Sequence, residues 1–146
     1  MNTMLRQILR TGLILFLIAG AEGCKDKDDR VPYVLVDITL YLDLPEFSSL
    51  VTPGGNATIS GGSMGIVIYR RSEEEFSAFD RHCTHNVSEY CRINVDENTG
   101  ITAVCECCGS VFSIYDGVPV EGPAARSLLR YNTNYNNNTK ILYLYN

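Results

Sequence analysis

Cys83-Thr84-His85, then nineteen residues, then Cys105-Glu106-Cys107-Cys108-Gly109-Ser110, sets a Cys-x-His loop against a Cys-x-x-Cys loop. Each loop offers two soft or borderline ligands to one site. Thiolate and imidazole at this spacing suit zinc or an iron–sulfur cluster, and do not suit calcium or magnesium, which take oxygen ligands. The spacing alone leaves both kinds of metal open. Leading in are Gly65-Ile66-Val67-Ile68-Tyr69-Arg70 and Phe76-Ser77-Ala78-Phe79-Asp80-Arg81-His82. Leading out are Gly109-Ser110-Val111-Phe112-Ser113, then Asp116-Gly117 and Gly122-Pro123-Ala124.

Around these loops the pattern is β. Val34, Val36, Ile38, Leu40 and Leu42 alternate with other residues, which predicts a strand with one buried face. Phe47 to Val51 reads as another short extended piece before the turn-rich Thr52-Pro53-Gly54-Gly55-Asn56. Gly61-Gly62 breaks the chain again. Ile66 to Ile68 then predicts a buried strand, with Glu74 to Phe79 as its hairpin partner. Ile101, Ala103 and Val104 carry the chain into the second loop. Leu128 to Tyr135 and Ile141 to Tyr145 predict a terminal hairpin, turned at Asn136-Asn137-Asn138 because asparagine tolerates the left-handed region. A chain of 146 residues with 45% hydrophobic content supports one domain. Many short strands and no helical period beyond the first residues point to an all-β barrel or stacked-sheet fold.

In their order along the chain, these anchors resemble the Rieske family of [2Fe–2S] proteins, whose loops read Cys-Thr-His-x-x-Cys and Cys-Pro-x-His-Gly-Ser. The resemblance runs from about Gly65 to the C-terminus. It implies an all-β Rieske-like domain over residues 31–146, with stacked antiparallel sheets and a small cluster-binding subdomain near residues 80–115. It implies a [2Fe–2S] cluster held by Cys83, His85, Cys105 and Cys108, with Ser110 donating a hydrogen bond to a cluster sulfur. It also implies a disulfide bracing the two loops, with Cys107 at the second-loop position. The family's partner position falls on Ser88, and Cys91, three residues later, takes its place as the expected partner of Cys107.

One departure is large: the family's second histidine falls on Cys108. A third thiolate adds negative charge and stabilises the oxidised state. Glu106 in place of the family's proline, and Phe112 where high-potential members carry a tyrosine, push the same way. The expected function is one-electron transfer, as an anchored ferredoxin-like carrier or a small redox subunit working with a redox partner protein. Two other readings of the same cysteines stay open. Cys83, His85, Cys105 and Cys108 would also close a Cys₃His zinc tetrahedron. Alternatively Cys105 and Cys108 are oxidised, which leaves a metal-free, disulfide-stapled interaction module. His82 reads as an exposed neighbour of Cys83. With only His82 and His85 in the chain, neither a separate iron site of two histidines and a carboxylate nor a nucleophile with a spare histidine base is expected.

The N-terminal residues add a location. Arg6 and Arg10, the apolar run Leu13 to Ala19, and the small residues Gly20, Ala21 and Gly23 before Cys24 read as a signal peptide over residues 1–23. The run is shorter than the roughly twenty residues of a membrane-spanning helix. A cysteine at this point resembles a bacterial lipoprotein signal, which makes Cys24 the expected lipid attachment and the outer membrane of the cell envelope the expected location. Residues 24–30 read as a charged tether. Its Lys27-Asp28-Asp29 resembles the surface-export signal of Bacteroidetes lipoproteins, so the cell surface and the periplasm are both open. Either is oxidising enough for disulfides. The chain carries a net charge of −5 and no basic patch, so no nucleic-acid partner is expected.

Overall fold

The computed structural model describes residues 29–146. The signal peptide 1–23, Cys24 and the tether as far as Asp28 lie outside the described residues. In chain order the strands are β1 (Asp37–Tyr41), β2 (Asn56–Ile59), β3 (Ile66–Arg70), β4 (Phe76–Asp80), β5 (Ile93–Val95), β6 (Thr102–Cys105), β7 (Val111–Ser113), β8 (Pro119–Glu121), β9 (Arg130–Asn136) and β10 (Ile141–Tyr145). Their pairings are all antiparallel. They form a six-stranded sheet, β1-β10-β9-β4-β3-β2, and a four-stranded sheet, β5-β6-β7-β8. The chain lays down the larger sheet, leaves it after β4 to build the smaller one, and returns as β9 beside β4. Among the described residues no helix is long and apolar enough to cross a membrane.

β3 and β4 are buried along their whole length, because apolar side chains project from both faces. Ile66, Ile68, Phe76 and Ala78 face a core completed by Leu40, Tyr131, Leu142 and Leu144. Val67, Tyr69 and Phe79 face the opposite way, into a second core with Ile93, Ala103 and Phe112 of the smaller sheet and Ile114 just beyond β7. Between the two sheets the buried Ser77 hydroxyl donates to the Ile114 carbonyl at 3.0 Å.

Two expectations about local structure are corrected. Phe47 to Val51 is not extended: Pro45–Leu50 forms a 3-10 turn with proline at its start. Residues three apart lie on one face of such a turn, so Phe47 and Leu50 both plug the first core. In the last hairpin the left-handed residue is Lys140, at φ 55°. Asn136 serves the turn through its side chain, whose Oδ1 accepts from the N–H groups of Asn138 and Thr139. The first strand is shorter than its alternation predicts. Asn146 takes over before it, accepting from the Val36 N–H and donating to the Val34 carbonyl.

Arg70, at the end of β3, is buried to 4% exposure and donates to the carbonyls of Leu50, Val51, Ser72 and Glu73. It ties the 3-10 turn to the β3–β4 hairpin. Arg70→Met keeps the apolar stem and strands those carbonyls. It is expected to cost about 2–4 kcal/mol, read as a lower urea midpoint at unchanged m-value.

Candidate metal centre

The two cysteine loops leave the smaller sheet at one end. The second loop is the β6–β7 turn: Cys105 N–H donates to the Ser110 carbonyl, Gly109 N–H donates to the Cys105 carbonyl, and Gly109 takes φ 71°. The first loop is closed at its base by main-chain bonds from Cys83 to Cys91 and from Ile93 to Arg81. Cys91 and Cys107 are joined by a disulfide, with Cα atoms 6.1 Å apart. This brace spans the two loops, and closing such a loop typically contributes about 2–4 kcal/mol. Replacing both cysteines by serine is expected to lose that much in urea unfolding, and to loosen the loops first.

The other three cysteine sulfurs of the described chain are unpaired and meet in one place. Sγ atoms of Cys83, Cys105 and Cys108 all lie within 4.8 Å of one another. Cys83 and Cys105 are buried, Cys108 is half-buried, and Cys83 Sγ stands 3.6 Å from Cys108 Sγ. The imidazole of His85 is not part of this set, although it is half-buried in the same loop. What His85 brings to the triad in this structure is its main-chain N–H, which acts on the Cys83 thiol and lowers it.

Electrostatics separates these thiols. Burial pushes the Cys83 thiol far above its ordinary value, Cys105 and Cys108 add to the rise, and the His85 N–H opposes it. Burial acts in the same direction on Cys108, but there the Ser110 hydroxyl and N–H, with the thiols of Cys105 and Cys83, together outweigh it and hold that thiol below its ordinary value. Ser110 is itself fixed. Its Oγ lies 3.1 Å from Cys108 Sγ and accepts from the Ala124 N–H at 3.0 Å. A Cβ at Gly122 would come within 2.6 Å of Ser110 Cα, so the Gly122-Pro123-Ala124 segment closes over Ser110 only because residue 122 is glycine, at φ 93°.

His82 is corrected from its expected exposure. It is fully buried, with Nδ1 at 2.8 Å from Ser63 Oγ and Nε2 at 2.9 Å from the Val87 carbonyl, and its ring lies against Tyr90. It holds the first loop from behind. Next to it the buried Asp80 carboxylate accepts from the N–H groups of Ser63, Met64 and His82 and from the Tyr131 hydroxyl. Burial, and then Asp80, raise the Tyr131 hydroxyl well above its ordinary value.

Sequence reasoning also missed a rim around the loops. Thr84 Oγ1 donates to the Arg126 carbonyl, and Arg126 donates back to the Thr84 carbonyl. Arg126 pairs with Asp29 at 2.7 Å, and the other oxygen of Asp29 accepts from the Val87 N–H. The stretch read as a tether through Arg30 is therefore held to the cysteine loops at Asp29. No local motif announces a contact between residues this far apart in sequence.

The family model of the Rieske [2Fe-2S] domain matches residues 45–132, more than half of the chain and both cysteine loops. The chain belongs to the Rieske family. No curated protein matches it. Among solved structures, it is similar to a chain of the complex of reduced oxygenase and oxidised ferredoxin in carbazole 1,9a-dioxygenase. That match has a TM-score of 0.49 at 19% identity and covers 78% of this chain and 94% of the other. The ferredoxin of carbazole 1,9a-dioxygenase from Nocardioides aromaticivorans IC177 aligns with a TM-score of 0.48 at 14% identity, over 77% of this chain and 98% of its own. The donor set of this Rieske domain fits a thiophilic iron centre: three unpaired sulfurs converge, two of them shielded from water, and His85 stands two residues beyond Cys83.

Proposed function

We propose that this chain is a one-electron carrier of the bacterial cell envelope, in which Cys83, Cys105, Cys108 and His85 hold a [2Fe–2S] cluster and lipid at Cys24 tethers the domain. The observation that carries this reading is the meeting of three unpaired sulfurs from two disulfide-braced loops in a Rieske chain. The cluster, when bound, supplies a one-electron couple. The residues around it set where that couple lies and exclude water. Ser110 at Cys108 and the His85 N–H at Cys83 draw charge off two ligand sulfurs, which favours reduction. The third thiolate opposes this, as does the exposed carboxylate of Glu106. Phe112 is fully buried and has no hydroxyl to offer. The third thiolate is the larger effect, so the potential is expected between about −400 and −150 mV. The partner is a redox protein that gives or takes a single electron.

A second reading has its own observation. One zinc ion with sulfurs at about 2.3 Å puts neighbouring sulfurs about 3.8 Å apart. The separation of Cys83 and Cys108 sulfurs, 3.6 Å, is close to that. A zinc ion with His85 as fourth ligand would make the domain a stapled interaction module.

Metal analysis of the purified protein after anaerobic reconstitution separates the readings. The expected result is about two iron and two sulfide per chain, with an electron paramagnetic resonance signal on reduction. About one zinc per chain with no retained iron selects the zinc module. Failure to retain either metal, with Cys105 and Cys108 oxidised, selects a metal-free module.

A further inference from the structure

Away from the cysteines, a cleft of about 400 Å³ is lined by two arginines and by no carboxylate. The β2–β3 turn from Ser60 to Gly65 lines it together with Thr58 and Ile59 of β2, Arg81 and Arg92. Arg81 lies across Gly65: a Cβ there would come within 3.5 Å of Arg81 Cδ and 3.7 Å of Nη1. Its Nε donates to the Ile93 carbonyl and its Nη2 to Asn94 Oδ1, so Nη1 is left over. Arg92 is exposed and makes no hydrogen bond or ion pair among the described residues.

The two guanidinium groups are close enough to disturb each other. Burial first, and then the like charge of Arg92, hold Arg81 below its ordinary value, while Glu106 pulls the other way. Glu106 is reached through Asn94, whose amide donates to it, and it does not line the cleft. Asp80 lies behind the turn with its carboxylate already accepting four donors. Two like charges facing one cavity repel until an anion joins them. Guanidinium is also the side-chain group best matched to planar or tetrahedral oxyanions. In a chain of net charge −5, a local positive cleft is not a by-product of overall charge.

We propose that the cleft between Arg81 and Arg92 is a binding site for a small oxyanion, a phosphate or a carboxylate, separate from the metal centre. Arg92 and the free Nη1 of Arg81 clamp the anion, and Thr58 and Ser60 share the wall. The site reaches the second cysteine loop through Arg81, Asn94 and Glu106, in that order.

The test is thermal melting of the purified protein with phosphate, with succinate and with chloride, all at one ionic strength. At about ten times its dissociation constant the true ligand is expected to raise Tm by roughly 4–6 °C over chloride. The arm that saturates identifies phosphate or carboxylate as the class. Arg92→Ser removes no hydrogen bond or ion pair among the described residues, so it should melt normally in chloride and lose the anion shift, and Arg92→Lys should keep part of it. A response to both anions no larger than that to chloride, or a full shift retained in Arg92→Ser, overturns the proposal. Neither outcome depends on which metal the cysteines hold.

Discussion

Cys108→His is expected to raise the reduction potential of the metal centre by on the order of 100–300 mV and to shift its absorption towards that of a two-histidine Rieske centre. The cause is charge. Histidine replaces a thiolate by a neutral imidazole, so adding an electron costs less. The half-buried position beside Ser110 leaves room to test this without emptying the core. A coordinated imidazole also retains a proton it can lose, so the variant should gain pH dependence in its oxidised form. Voltammetry of parent and variant decides the matter. Equal potentials would mean that Cys108 is not a ligand, and no couple in either protein would remove the electron-transfer reading.

Cys83→Ser should have the larger effect on occupancy. Cys83 is fully buried and its sulfur lies within 4.8 Å of both partner thiols. Oxygen in place of sulfur keeps the shape and removes the soft donor. Even residues that only support a ligand are worth about 10–100-fold in metal affinity, so losing a ligand should cost at least that much. The measurement is metal content per chain after gel filtration with a chelator, beside the urea midpoint to show that the domain still folds. Full metal retention at unchanged stability would place the centre elsewhere.

Much of the fold could be read from residue pattern because β3 carries its two-sided burial in its apolar sequence. By contrast, β4 is buried on both faces despite Ser77 and Asp80, and β10 is covered on one face although its sequence is apolar throughout. Continuous apolar runs mark strands covered on both faces, and alternation marks the others. The cysteine loops were legible because ligand chemistry is local: Cys83, His85, Cys105 and Cys108 sit in short motifs. The brace from Cys91 to Cys107 came from the family's likeness, since parity alone leaves several pairings open. What local pattern could not supply was partnership across long separations. The 3-10 turn at Pro45–Leu50 depends on Arg70 collecting its carbonyls. The burial of His82 depends on Ser63 and Val87 lying on either side of it. The anchoring of Asp29 depends on Arg126, 97 residues away.

That last contact limits the geometry of electron delivery. Asp29 stands five residues beyond Cys24, the proposed point of lipid attachment. An extended chain spans at most about 3.3–3.6 Å per residue, so the lipid and the rim of the cysteine loops are within roughly 18 Å of each other. With lipid at Cys24, as proposed, a molecule leashed that closely by its reactive end would face the bilayer, with little headroom beneath it. A globular shuttle of 100 residues, with a radius of gyration near 13 Å, would be too bulky to slip into that gap. The donor or acceptor that such a leash would favour is one itself seated in the same membrane, meeting the domain from below.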